Sequence, residues 1–208
     1  MSGYETVWAT KFMNHPKFIF SVRAEGITDR HSFHQAYDQG RPINPANMPS
    51  HLVVKRKPVP ATDIFAIQNR VMVVSARLAE LVSDFDLGPA PTPDNPAPPR
   101  AELHPMPLYG LDGQTEIAKV AFLQASNHKD GWVPEESQID QHFESVDFYM
   151  AVCGPNSLAV RRSAFAGADL WRDRRLQDVV FFSDRLYRAM ADAGMTRLDE
   201  IHPCRMLD

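Results

Sequence analysis

An apolar, β-branched run that turns at a serine into an amphipathic helix occurs twice in this chain, and that junction limits the folds open to it. The first copy is Val71-Met-Val-Val-Ser75-Ala-Arg77-Leu78-Ala-Glu-Leu81-Val82-Ser-Asp-Phe85. Val71 to Val74 suit a buried strand. Leu78, Leu81, Val82 and Phe85 then follow at the spacing of one helix face. Ser75 stands where an N-cap belongs, its hydroxyl placed to accept from an orphan first-turn amide.

The second copy, Val179-Val-Phe-Phe-Ser183-Asp-Arg185-Leu186-Tyr-Arg-Ala189-Met190-Ala-Asp-Ala193, superposes on the first at a shift of 108 positions. Beyond the helices the likeness resumes at a shift of 98, where Glu102-Leu-His104-Pro105 matches Glu200-Ile-His202-Pro203. The spacing predicts a strand, a Ser-x-Arg-Leu helix and an exit strand ending in a His-Pro turn, made twice. The first copy carries extra residues before its exit strand. They coincide with Pro89–Pro99, where six of eleven residues are proline. Proline removes amide donors and fixes φ, so this stretch is neither helix nor central strand. We read it as a surface insertion on a finished scaffold.

The remaining strands point to an α+β fold with a mixed or antiparallel sheet around two pseudo-repeated strand-helix-strand units. Phe18–Val22, Glu116–Gln124 and Phe143–Val152 read as strands. His51–Lys57 reads as an extended, basic, edge-like segment. Asp112-Gly113 suggests a hairpin turn. Arg30–Tyr37 reads as a short helix stopped by Gly40 and Pro42. Residues 1–208 are read as a single domain: 1–60 offer little pattern, and 61–208 hold the duplicated scaffold.

Composition narrows the function classes. A net charge of −4 argues against nucleic-acid binding, which needs a basic face. The N-terminus lacks the basic and apolar regions of a signal peptide, and no apolar run nears the length of a spanning helix. The expectation is a cytoplasmic protein with no membrane partner. Cys153 and Cys204 lie in no Cys-x-x-Cys pattern and read as reduced, structural thiols.

Catalytic signatures are sparse. The chain has no nucleophile elbow, Walker loop, dinucleotide fingerprint or His-Glu-x-x-His motif. The sharpest suspicion is the repeated Glu-x-His, Glu102 with His104 and Glu200 with His202. Residues two apart on a strand share a face, so a metal between two such pairs would make a metal-dependent hydrolase. A repeated strand-ending turn explains the same residues without chemistry. His31 and His34, near Asp29 and Asp38, share a helix face but have no third ligand at a recognisable spacing. Cys153 has no local nucleophile signature. Helix capping accounts for Ser75 and Ser183, and a nucleophile is seldom needed twice. No catalytic residue, metal or cofactor is assigned.

A binding surface is the better candidate. Trp132 lies in a polar loop followed by Glu135, Glu136 and Asp140. An exposed aromatic anchor with an acidic rim would suit a basic partner; the plainer reading of Trp132 is a plug at the edge of the core. Trp171, close to the second junction, reads as core.

The carboxyl-terminal part, Gly167-Ala-Asp-Leu-Trp-Arg-Asp followed by Val179–Ala193 and Gly194-Met-Thr196, resembles the ending of a bacterial family of immunity proteins from polymorphic-toxin systems, immunity protein family eleven. Val71–Phe85 resembles that family's other recurring segment, so the likeness spans roughly residues 60–205. The first 60 residues show no specific match, and the Pro-rich insertion departs from the pattern. The resemblance implies a cytoplasmic protein that neutralises a cognate toxin by stoichiometric binding, with no enzymatic activity. It carries over no site residues. Paired strand edges would also allow a homodimer.

Overall fold

A computed structural model describes residues 6–11, 19–58, 60–67, 71–89, 92, 94, 100–144 and 148–208. In chain order the elements are β1 (Val7–Lys11), β2 (Ile19–Phe20), β3 (Val22–Glu25), α1 (Arg30–Asp38), β4 (His51–Val54), β5 (Ile64–Ile67), β6 (Val71–Ser75) and α2 (Ala76–Ser83). There follow β7 (Ala101–Tyr109), β8 (Glu116–Ala125), β9 (Ile139–Phe143), β10 (Phe148–Ala151), β11 (Ala159–Arg161), β12 (Leu170–Asp173), β13 (Leu176–Ser183), α3 (Asp184–Asp192), β14 (His202–Pro203) and β15 (Arg205–Leu207). The fold is α+β, with parallel and antiparallel pairs mixed. Among the described residues no helix is long and apolar enough to cross a membrane.

The larger sheet runs β2-β5-β6-β8-β7-β4-β3. Its two outermost strands are separated in the chain by Ser21 alone. The stretch Ile19–Glu25 thus bonds β5 with its first part and β4 with its second, which closes the sheet on itself. His51–Lys57 was expected at an edge. Instead β4 lies between β7 and β3, and Leu52, Val53 and Val54 are buried. Phe33 and Tyr37 of α1 pack on Phe122 of β8, and the Tyr37 hydroxyl accepts the Met72 amide at 3.0 Å.

The smaller sheet runs β12-β13-β1-β14. Alternation along β13 sends Val180 and Phe182 to the core shared with the larger sheet and the helices. Val179 and Phe181 go to a second core with Trp132, Trp171 and Cys204. This is the period-two division of a strand buried on both faces.

Both junctions form where the sequence places them. Ser75 caps α2 by accepting from the Leu78 amide, and Ser183 caps α3 by accepting from the Leu186 amide, each at 3.2 Å. Leu78 and Val82 are buried on α2, as are Leu186 and Met190 on α3.

The exit segments differ from one another. The strand after α2 does not end in a His-Pro turn; β7 runs through Pro105 and Pro107 to Tyr109. Both prolines sit on alternate residues whose backbone nitrogens face away from β8, so no ladder bond to that strand is lost. After α3, Glu200 lies in a 3-10 turn and His202 in a two-residue strand of the other sheet.

One further expectation changes. The strand expected over Phe143–Val152 is the second half of a hairpin, β9 with β10; residues 145–147 lie outside the described residues. Phe18 and most of Pro89–Pro99 lie outside them too. The hairpin expected at Asp112-Gly113 joins β7 to β8.

Candidate partner-binding surface

Two buried aspartates organise the junctions, and the sequence reading passed over both. Asp63 stands opposite Ser75, whose amide donates to the Asp63 carbonyl at 2.9 Å and whose hydroxyl donates to Oδ1 at 2.6 Å. Arg77 grips the same carboxylate with Nε and Nη2 at 2.7 and 2.5 Å. Asp169 receives the same set from Ser183 and Arg185. The loops after the helices then cross over. The Thr196 amide, after α3, donates to Asp63 at 2.8 Å, and the Asp86 amide, after α2, donates to Asp169 at 2.8 Å. The Arg77 guanidinium and the hydroxyl and amide donors hold the Asp63 carboxyl well below the usual range. Burial works against the Asp169 charge, but Arg185, Ser183 and the Asp86 amide outweigh it and lower its pKa. A sequence signal existed: each aspartate opens the strand that pairs with the junction strand, at a separation of 106 positions.

The Glu-x-His segments do not assemble. Glu102 Oε2 lies 3.3 Å from His104 Nε2 on β7. Burial lowers the His104 pKa, while Glu102 and Gln124 oppose the shift. Glu200 and His202 share no strand, and Glu200 is buried with its carbonyl accepting the Thr10 hydroxyl at 2.8 Å. Among the described residues no group of three His, Cys, Asp or Glu side chains is placed to hold a metal ion. His31 is exposed on α1, and burial lowers the pKa of His34.

Lys129 lines a cavity of about 600 Å³ with Asp86, Asn127 and His128. Burial draws its pKa down to about 8, opposed by Asp169 and Asp86. Its ammonium donates to the carbonyls of Ala164 and Ala168 at 3.0 and 2.5 Å and sits 3.7 Å over the Trp171 ring. Those contacts occupy the group in joining loops.

Trp132 is not an exposed anchor. It is 3% exposed, in the second core, because the loop folds inward to pair Trp132 with Val160. Its ring meets Tyr149 edge-on at 5.1 Å, and Tyr149 stacks on His142 at 3.9 Å. Arg175 lies 5.4 Å over the Trp132 ring and donates to its carbonyl at 3.0 Å. An aromatic column thus runs from the core to exposed His142 on β9. The other three sequence candidates are all exposed, Glu135 and Glu136 in the 3-10 turn that precedes β9 and Asp140 on β9 itself. Glu136 pairs with Arg205 at 3.0 Å. Asp140 occupies the extra position of a β-bulge, where the register steps from Gln141–Met150 to Ile139–Ala151.

No protein-family model matches the chain, and no curated protein matches it.

Proposed function

We propose that this chain is an immunity-type protein that neutralises a cognate bacterial toxin by stoichiometric association in the cytoplasm, without catalysis, cofactor or nucleic-acid contact. Its partner surface is the β9–β10 hairpin with the turn before it, Glu135, Glu136 and Asp140 meeting basic groups of the toxin and Trp132 serving as the buried root. The observation that carries this reading is the aromatic column Trp132–Tyr149–His142. It ties the β9–β10 hairpin to the core, with exposed Asp140 on the same strand as His142. A pre-organised surface of this kind lowers the ordering cost of association.

The twin aspartate clusters support a second element of the proposal, that the two strand-helix junctions are copies of one unit within a single domain over residues 1–208. The serine and arginine donors, the carboxylate acceptors and the serine caps correspond. The rival reading, a metal-dependent hydrolase, needs both Glu-x-His pairs at one centre; Glu102 and His104 are a close pair on β7, whereas Glu200 and His202 lie in a turn and a strand of the other sheet.

Charge reversal tests the surface. Glu135→Lys with Asp140→Lys should leave the Tm unchanged and abolish protection of cells expressing the toxin encoded beside this gene. Full protection by the double variant would remove this face from the proposal.

A further inference from the structure

Cys153 and Cys204 are far apart in the chain, yet both are anchored on β1. The Cys204 amide donates to the Val7 carbonyl at 2.8 Å, and the Cys153 thiol donates to the Ala9 carbonyl at 3.6 Å. Carbonyls two residues apart on a strand point to the same edge, roughly 7 Å from one another. Both side chains border the second core, Cys204 within it and Cys153 against it. Both are reduced thiols.

We propose that Cys153 and Cys204 form a reversible oxidation site that a peroxide closes into a disulfide, fastening the end of the β9–β10 hairpin to the carboxyl-terminal strands. The two thiols differ in access, which sets the order of events. Cys204 is 4% exposed, and burial and the neighbouring Cys153 push its thiol well up, so it is not the first nucleophile. Cys153 is half-buried and meets the oxidant. Its sulfur attacks one peroxide oxygen, the O–O bond breaks, and a sulfenic acid and one water form. The Cys204 sulfur then attacks the sulfenic sulfur, the S–O bond breaks, and a second water leaves with the Cys204 proton. Two thiols and one hydrogen peroxide give one disulfide and two waters. The thiol chemistry stands independently of partner binding. Any effect on binding rests on the hairpin face proposed above.

The test treats the full chain with hydrogen peroxide under native conditions and follows it by thiol titration and intact mass. The expected product is a monomer with no titratable thiol, lighter by two hydrogens, with a cross-linked Cys153–Cys204 peptide. It should revert in dithiothreitol, and its Tm should rise by about 5–10 °C. In Cys204→Ser, Cys153 should stop as a sulfenic acid trapped by dimedone. Persistent thiols, over-oxidation without a bridge, or a covalent dimer would each overturn the assignment.

Discussion

Asp63 and Thr196, 133 residues apart, hold each other through three hydrogen bonds: the Asp63 amide donates to the Thr196 hydroxyl at 2.7 Å, and Oδ2 accepts the Thr196 amide and hydroxyl at 2.8 and 3.0 Å. The contact ties the loop after α3 to the strand beside α2. Asp86 and Asp169 tie the loop after α2 to the strand beside α3. The helices are thus held by a reciprocal pair of clasps. Asp63→Asn and Asp169→Asn should each lower stability by about 2 kcal/mol in denaturant unfolding, because a carboxylate bonded to charged donors is lost. The double variant should depart from additivity, since each clasp positions the helix that the other uses.

Acid should undo the same clasps. Both aspartates titrate lower in the folded chain than in the unfolded one. Their contribution is complete above the unfolded value, about pH 4, and is lost as pH falls through the depressed folded value. The Tm difference between wild type and Asp63→Asn should therefore shrink steadily below pH 4. Burial lowers the pKa of His34, His104 and His128. The unfolded chain takes up those protons first, so a smaller loss should begin as pH falls below about 6.5. A flat Tm between pH 7 and pH 3 would contradict both effects.

The helix junctions were legible because their pattern is local: strand run, capping serine, apolar stripe. The clasps were not, since a buried aspartate looks like any loop aspartate until the chain returns to it 133 residues later. The sequence left Trp132 between a surface anchor and a core plug for a related reason. Its polar neighbours describe the loop, whereas its burial depends on Val160 and Tyr149, which arrive later in the sequence. The closure of the larger sheet was equally hidden, because Ile19–Glu25 is too short to announce two different partners.

Replacing the hairpin's root should differ sharply from altering its rim. Trp132→Ala removes a buried ring that touches Tyr149 and Arg175 and should cost about 3–5 kcal/mol by chemical denaturation. Asp140→Ala, at an exposed bulge, should stay within about 0.5 kcal/mol of wild type. Comparable losses in the two variants would mean that the column does not anchor the hairpin.

His104 separates binding from metal chemistry. Among the described residues it joins no group of three possible ligands, so added zinc or a chelator should leave the Tm unmoved. Alanine at both His104 and His202 should preserve protection against the toxin. A zinc-dependent rise in Tm that vanishes in His104→Ala would revive the hydrolase reading.

The most direct measurement is co-expression of this chain with the product of the adjacent toxin gene, followed by co-purification and a stoichiometry determination. The account predicts relieved growth inhibition and a stable one-to-one complex that the Glu135→Lys, Asp140→Lys variant fails to form. Unrelieved inhibition with no co-purifying partner would contradict it.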